Sequence, residues 1–221
     1  SPEMQPLERH WAHLISLWTG KPFGNGPTPR LDREDLRQAR EFVRDRFFQV
    51  LPEEPTVEAV VDRFLWTHRR HGVSGLLLDP WNEMDHEYDM RSMTEAQYIN
   101  RSIKTIRRFA RAFGVHVAIV AHPTKLQKGA DGTYPMPSLY DINGGAVWHN
   151  KADLGVVVHR EDEENTRIKT AKSRYHDVLG RPGSVLMQFC QDDRRFREVE
   201  RGDEAPQGRR LPKNKPPSGL L

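Results

Sequence analysis

The chain has 221 residues, 36% of them hydrophobic and 29% charged, so it is long enough for one α/β domain with a buried core and a very polar surface. Its formal net charge of +3 and isoelectric point of about 9.1 permit a polyanionic partner without requiring one. A single cysteine excludes an intramolecular disulfide, and no apolar run approaches the ~20 residues of a membrane span, which predicts a reducing compartment and no membrane partner.

The first third of the chain has the periodicity of helices bounded by capping and stop residues. Three stretches with apolar residues on one helical face are residues 7–18, 32–46 and 56–71. Gly20 is a stop signal for the first helix, and Asp32 and Thr56 are N-cap residues for the other two. Between the second and third helices, residues 47–51 predict a short strand.

Two buried parallel strands are predicted in the middle of the chain. Residues 75–79 and 115–121 are nearly continuous aliphatic runs, each preceded by a helix, as a sheet covered on both faces requires. The first run ends at Asp79 and the second is followed by His122. Ligands of such sheets bind at the carboxyl ends of the strands. Asp79 is therefore either a carboxylate beside nucleotide-bound Mg²⁺ or a cap for the turn at Pro80.

The helix between these two strands is the longest one predicted. Two residue pairs have the spacing of a capping box at its start, Ser92 with Glu95 and Thr94 with Gln97. Gly114 ends it, directly before the second strand.

The last third of the chain predicts strands at closer spacing. They are residues 154–159, 167–171 and 184–189. Residues 1–198 are therefore predicted to form the folded domain, and residues 199–221, rich in Pro, Gly and charge, a disordered basic tail.

Five motifs follow one another along the chain. They are SPEM at residues 1–4, LLLDPWNEMDH at 76–86, VAIVAHPTK at 117–125, DINGGAVWHNKADLGVVVHR at 141–160 and KSRYHDVLGRPG at 172–183. In this order they resemble the helicase half of phage primase-helicases, mitochondrial Twinkle and the DnaB-type replicative helicases, which are hexameric RecA-like motors. The resemblance covers nearly the whole chain to about residue 198. It implies an α/β fold, a RecA-like P-loop NTPase core whose mainly parallel sheet is flanked by helices.

The phosphate-binding loop of P-loop enzymes has no counterpart in the sequence. No G-x-x-x-x-G-K-[ST] motif is present, although its backbone would cradle the β- and γ-phosphates. In the family, this loop and its strand precede the SPEM segment. The resemblance therefore implies a fragment of the ATPase domain that lacks the phosphate-loop strand, and we expect the isolated chain to be poorly stable and unable to hydrolyse ATP.

The resemblance assigns catalytic roles to four residues. Glu3 polarises the attacking water, and His122 senses the γ-phosphate. Lys172 and Arg174 lie at i and i+2 at the end of a strand and reach the nucleotide of a neighbouring subunit, with Arg174 as an arginine finger. The residues alone leave simpler interpretations open. Glu3 is also an acid favoured at a helix N-terminus, His122 a surface histidine, and the Lys–Arg pair a surface pair with acids such as Asp177.

Nucleotide-binding roles follow from the same resemblance. Asp79 is the acid associated with Mg²⁺, which makes it the expected metal-binding residue. Arg160 and Phe189 are the cation and the aromatic ring that flank the adenine, since a flat π-face and a cation stack a base. A core position is the alternative for Phe189.

Two further regions match the family's DNA-gripping loops in the central channel. Their residues are Lys125, Lys128, Asn143, Gly144 and Gly145. Ammonium groups neutralise phosphates, and glycines allow backbone N–H groups to approach them without reading bases. Solvated turns are the simpler alternative, with Asp141 shaping the second turn.

The implied function is ATP-dependent translocation on single-stranded DNA, with ATP and Mg²⁺ as cofactors. The implied partners are single-stranded DNA, further copies of the chain in a hexameric ring, and a primase domain or separate primase. The implied location is the cytoplasm of a bacterial or phage-infected cell. Two alternatives remain open: a RecA- or RadA-like recombination ATPase that binds DNA as a filament, and a non-catalytic remnant that binds DNA.

Overall fold

The computed structural model describes residues 7–25, 28–130, 132–191 and 195–199. The helices of this part are α1 Leu7–Thr19, α2 Arg33–Arg46, α3 Val57–His71, α4 Glu95–Phe113, α5 Ala146–Lys151 and α6 His176–Leu179, with short 3-10 helices at Trp81–Glu83 and Leu139–Asp141. The strands are β1 Gly75–Leu78, β2 His116–Ile119, β3 Leu154–Arg160, β4 Asn165–Ser173, β5 Gly183–Cys190 and β6 Arg195–Glu198. Glu3 and the SPEM motif lie outside the described residues, as does the predicted tail apart from Val199.

The three N-terminal helices begin and end where their capping residues predict. The Asp32 carboxylate accepts a hydrogen bond from the backbone N–H of Asp35, and the Asp35 carboxylate accepts one from the backbone N–H of Asp32. The Thr56 hydroxyl accepts the backbone N–H of Ala59 and so caps α3. α1 ends at Gly20, whose φ of +68° suits glycine. These predictions are confirmed.

The strand predicted at residues 47–51 is wrong. These residues run as extended chain without a ladder partner, and Phe47 and Leu51 are exposed. Aliphatic and aromatic content favours strand conformation, but a strand also needs a neighbouring edge to accept its hydrogen bonds. In this part of the chain, the segment borders a cavity beside β1 instead of pairing with it.

The structure decides between the two capping boxes proposed for α4. Thr94 is the N-cap: its hydroxyl accepts the N–H of Gln97, and the Gln97 side chain accepts the N–H of Thr94. The Ser92 hydroxyl instead donates to the carbonyl of Asp89, within the preceding turn. Gly114 ends α4 in the left-handed conformation, as predicted.

The two aliphatic runs form the predicted parallel pair. β1 and β2 align with Gly75 opposite His116 and Leu78 opposite Ile119. α3 and α4 pack over this pair. The buried residues of the main core are Val57, Leu78, Trp81, Met84, Ile99, Ile103, Ile106 and Trp148. Because both strands are parallel and in register, the segments that follow them leave the sheet at the same end.

The prediction of a mainly parallel sheet is wrong for the described residues. The strand order β3-β4-β5-β6 is antiparallel throughout, and only β1 and β2 pair in parallel. Residues 161–164 connect β3 to β4 and residues 174–182 connect β4 to β5, too few for a parallel crossover. The three strands predicted in the last third of the chain are confirmed as β3, β4 and β5, and β6 is a further strand that the sequence did not predict.

Several strand edges and faces remain uncovered. Within the described residues, β2 and β3 each have one edge without a strand partner. Leu77 on β1 is 58% exposed and Val158 on β3 is 64% exposed. Unpaired edges of this kind are what an absent phosphate-loop strand would leave, and that expectation stays a prediction.

We expect Thr94→Ala to lower the free energy of unfolding by about 1 kcal/mol, because it removes the hydroxyl that caps α4. Urea unfolding followed by far-UV circular dichroism measures the change. Ser92→Ala is the matched control and should change the stability by less than about 0.5 kcal/mol. Equal losses in the two variants would contradict the assignment of Thr94 as the cap.

Candidate functional site

The segments that follow β1 and β2 are tied together by backbone and side-chain bonds. The N–H of Trp81 donates to the carbonyl of Val120 at 2.7 Å, and the N–H of His122 donates to Asn82 Oδ1 at 2.7 Å. Asp79 and His122 therefore follow neighbouring parallel strands at one edge, as predicted. The sequence analysis missed Asn82, because nothing in its local pattern shows that it bonds to a residue 40 positions away.

A cavity of about 430 Å³ opens beside Asp79, between α1, the segment after α2 and the start of the parallel pair. Its aromatic lining includes Trp11, Phe48 and Phe64. Two polar lining residues, His10 and Gln49, have buried side-chain atoms without a hydrogen-bond partner among the described residues. The cavity thus combines apolar walls with unpaired polar groups, which is the composition of a small-molecule site.

The charge of this cavity comes partly from Asp79 itself. Burial lowers the pKa of His10, while the Asp79 carboxylate acts on that pKa in the opposite direction. No cluster of three or more metal-ligating side chains occurs in the described ranges. One carboxylate nevertheless fits Mg²⁺, because this ion is usually bound through one or two carboxylates together with water and substrate phosphates.

The two regions predicted to contact DNA lie side by side. We call residues 122–125 the HPTK segment and residues 143–145 the NGG turn. Pro123 pairs with Ile142 in an isolated antiparallel bridge. The N–H and the hydroxyl of Thr124 both donate to the carbonyl of Asp141, at 2.7 and 2.8 Å. The structure therefore joins the two predicted loops at the end of β2.

Asp141 shapes the turn before this junction, which confirms the structural alternative for this residue. Its Oδ2 accepts the N–H of Ser138 at 2.7 Å and the Ser138 hydroxyl at 2.8 Å. The carboxylate is thereby committed to the 3-10 helix Leu139–Asp141.

Close packing explains why both positions 144 and 145 of the NGG turn are glycines. Gly144 has φ +81°, and a Cβ there would lie 2.5 Å from Ile99 Cδ1 on α4. Gly145 has φ +28°, and its Cβ would lie 2.8 Å from the carbonyl oxygen of Tyr140. Asn143 fixes the turn further, since its side-chain amide donates to Glu95 Oε1 at 2.5 Å. The turn is thus held against the first turns of α4.

The lysines of the first region are exposed. Lys125 directly follows the bonded Thr124, so its position relative to the NGG turn is fixed at the backbone. Lys128 lies further out on the loop, with its ammonium 5.1 Å from the ring centroid of Tyr134. Both cations are therefore presented to solvent near the junction, as contact with a polyanion requires.

Lys172 and Arg174 contact the C-terminal end of α5, the helix that the NGG turn begins. Lys172 Nζ donates to the carbonyl of His149, and Arg174 donates to the carbonyl of Asn150 at 2.7 Å. Burial lowers the pKa of Lys172, and the charge of Arg174 lowers it further. The prediction that the pair serves a neighbouring subunit is not tested by this single chain, and it stays a prediction.

Asp153 connects this pair to α4. Its Oδ1 lies 2.9 Å from Arg174 Nε and 3.1 Å from the Arg107 guanidinium. Both arginines come from elements far away in sequence, so only the fold reveals this partner of the predicted finger residue.

Arg160 and Phe189 share one face of the antiparallel sheet but do not lie together. Arg160 pairs with Thr166 on β4, which pairs with Met187 on β5, so two strand spacings of about 4.8 Å each separate β3 from β5. The Arg160 guanidinium donates to the carbonyls of residues 162 and 163, in the turn after its own strand. Phe189 packs on Phe196, with ring centroids 5.1 Å apart. Their roles at an adenine stay predictions.

Comparison with known proteins supports a relation to the replicative helicases. The chain is 34% identical over 163 residues to the Twinkle homolog protein, chloroplastic/mitochondrial, of Arabidopsis thaliana. The match covers 71% of this chain and 22% of the relative, so the chain spans less than a quarter of that protein's length. No family model matches the chain. The similarity supports a domain related to the replicative helicases.

The comparison gives no support to the predicted bacterial or phage-infected cell, because the name of this relative refers to chloroplasts and mitochondria. Among the described residues, no helix is long and apolar enough to span a membrane.

We expect Gly144→Ala to destabilise the fold more than Gly72→Ala, by about 1 kcal/mol or more, because only the first variant forces a methyl group against a buried side chain. Gly72 is the matched control, since its φ is +66° and a Cβ there would meet nothing within 4 Å. Urea unfolding of both variants measures the difference. Similar losses would mean that backbone strain alone, and not the contact with Ile99, explains the glycine.

Proposed function

We propose that this chain is part of the motor of a ring-forming replicative DNA helicase, in which ATP hydrolysis drives translocation along single-stranded DNA. The observation that carries the proposal is the hydrogen-bonded junction of the HPTK segment with residues 141–142, next to the NGG turn and directly after the parallel strand pair. The similarity to the Arabidopsis Twinkle homolog supports the same class and does not favour a recombination ATPase or a DNA-binding remnant.

The DNA strand is proposed to run past the junction, where Lys125 and Lys128 neutralise its phosphates. Such contacts are independent of sequence, as a motor that moves over any template requires. The NGG turn closely follows Asp141, whose carbonyl accepts the bonds from Thr124, and its partly exposed backbone is proposed to approach the phosphates there. Packing and DNA contact are compatible roles for these glycines.

Nucleotide binding is proposed at Asp79, with the Mg²⁺ and phosphates of ATP on the cavity side of the strand end. When bound, the metal ion would neutralise charge on the phosphates. The backbone after this acid leads to a hydrogen bond with the segment that precedes the DNA junction. Asn82 follows Asp79 by three residues and binds the N–H of His122, and Thr124 binds Asp141. A shift at the nucleotide can therefore reach the DNA-contacting loops through short, directional bonds.

A second route runs from the NGG turn through α5 to Lys172 and Arg174. In the single chain, both side chains donate to carbonyls at the end of α5. We propose that a neighbour's γ-phosphate competes for them in the ring, because charge-assisted bonds to phosphate are stronger than bonds to neutral carbonyls. At Arg174 the phosphate would also compete with the Asp153 carboxylate, whose Oδ1 lies 2.9 Å from Nε. Binding of nucleotide at the subunit boundary would then release one end of the helix that carries the NGG turn. The hexameric ring and a primase domain or partner belong to this proposal.

Replacement of Lys125 and Lys128 by Ala in the complete protein should weaken binding to single-stranded DNA of every sequence. Loss of two phosphate contacts should reduce the slope of log Kobs against log salt concentration by about 1.4. Fluorescence anisotropy with labelled oligonucleotides at several salt concentrations measures the slope. Lys104→Ala with Lys169→Ala removes the same charge from α4 and β4 and should leave most of the slope. An unchanged slope in the first variant would remove both lysines from the DNA path.

Arg174→Ala, made in the natural protein that contains this chain, should lower ATP hydrolysis by about 10³-fold while leaving assembly intact, the effect of a lost arginine finger. Arg167→Ala removes an ion-paired arginine from β4, the strand that Arg174 directly follows, and is the control, expected to retain most activity. Glu3→Ala should also abolish hydrolysis, but within its own subunit. A mixture of the Glu3 and Arg174 variants should regain activity at boundaries where both groups are intact. Mixed rings that form but stay inactive would contradict a role across the boundary.

A further inference from the structure

Two exposed tyrosines lie on the segment between the predicted DNA-contacting regions. Tyr134 is 52% exposed and Tyr140 is 55% exposed. Both rings are held by a neighbouring side chain: the Lys128 ammonium lies over Tyr134, and His149 stacks on Tyr140 with ring centroids 4.5 Å apart and an interplanar angle of 21°. Exposed rings held in one orientation are poised to stack on another flat group.

We propose that Tyr134 and Tyr140 are platforms on which bases of the single strand stack. This inference rests on the proposed DNA-binding function and adds the bases as a second point of contact. Every base has a π-face, so stacking strengthens binding without selecting a sequence. The lysines would bind the phosphates and the tyrosines the bases of the same strand.

The strongest support for the inference is the position of Tyr140 beside the junction of the HPTK segment with Asp141. Its neighbour Asp141 accepts both bonds from Thr124, so Tyr140 and Lys125 flank the same junction. Its own carbonyl oxygen lies against Gly145 in the NGG turn. Tyr140 therefore lies among the residues predicted to grip the DNA backbone, with more than half of its surface exposed there.

The support beneath each ring suits a stacking platform. His149 belongs to α5, and its backbone carbonyl accepts the bond from Lys172, so the backbone that carries the ring beneath Tyr140 is held in place. At Tyr134, the ammonium of Lys128 lies 5.1 Å from the ring centroid, close enough for a cation–π contact. Rings that are already ordered lose little conformational entropy when a base stacks on them.

The experiment compares two fluorescein-labelled oligonucleotides of equal length, oligo(dT) and an abasic strand with the same phosphates. The unmodified chain, within the complete protein, should bind oligo(dT) more tightly than the abasic strand. Tyr134→Ala combined with Tyr140→Ala should weaken binding to oligo(dT) about 30-fold or more, because each lost stacking contact costs about fivefold or more, and should leave the abasic strand unaffected. Replacement of both tyrosines by Phe should retain the preference, because the π-faces remain.

Trp66→Ala is the matched control for loss of an exposed ring. Trp66 is 55% exposed and lies on α3 with the Arg70 guanidinium 5.2 Å from its ring, outside the loop region. It should leave both affinities unchanged. Thermal unfolding of the double Ala variant shows whether the fold is retained, and a Phe variant that also loses the preference would contradict stacking.

The outcomes separate this inference from the proposed function. Equal binding of both oligonucleotides by the unmodified chain would overturn the stacking inference while leaving DNA binding in place. A double Ala variant that loses affinity for both strands alike would also overturn it. If the unmodified chain binds neither strand, the proposed DNA-binding function fails and the stacking inference fails with it.

Discussion

The parallel pairing of β1 with β2 is the constraint on which the candidate site depends. Parallel strands in register leave a sheet at the same end, so the two polar segments after them must meet there. The bonds from Trp81 to Val120 and from His122 to Asn82 continue the pairing beyond the strands. Residues 40 positions apart in sequence are thereby held within hydrogen-bond distance, and the acid at Asp79 is linked to the loops that follow His122.

The NGG turn shows how packing and function share the same residues. Its glycines are needed because Ile99 and the carbonyl of Tyr140 occupy the space of a side chain. That packing fixes the start of α5, and the other end of α5 is bonded to Lys172 and Arg174. The short helix is therefore a rigid connection between a proposed DNA contact and a proposed finger. A motor needs such a connection, since chemistry at one site must move another.

The cavity beside Asp79 contains buried polar atoms whose lack of hydrogen-bond partners in the described part of the chain costs free energy. Buried polar atoms without partners cost about 1–3 kcal/mol each, and His10 and Gln49 both carry such atoms. Aromatic side chains, an acid and unpaired donors or acceptors line the same cavity along β1. A bound group that satisfied these atoms would recover part of that cost, which is why this region, rather than the well-packed core between α3 and α4, is the candidate for the nucleotide.

The sequence by itself determined the features that depend on neighbouring residues. Asp32, Thr56, Gly20 and Gly114 fix helix ends through bonds or conformations within a few positions. Aliphatic runs identify β1 and β2, and strand-favouring stretches identify β3 to β5. The sequence also predicted that Asp79 and His122 lie at the same end of the sheet, because each follows the carboxyl end of a parallel strand. Only the tertiary structure decided that residues 47–51 stay unpaired, that the second sheet is antiparallel, that Thr124 bonds to Asp141, and that Arg174 contacts α5 and Asp153. Those features depend on partners far away in sequence, and a local pattern shows that a group needs a hydrogen bond without showing which distant group supplies it.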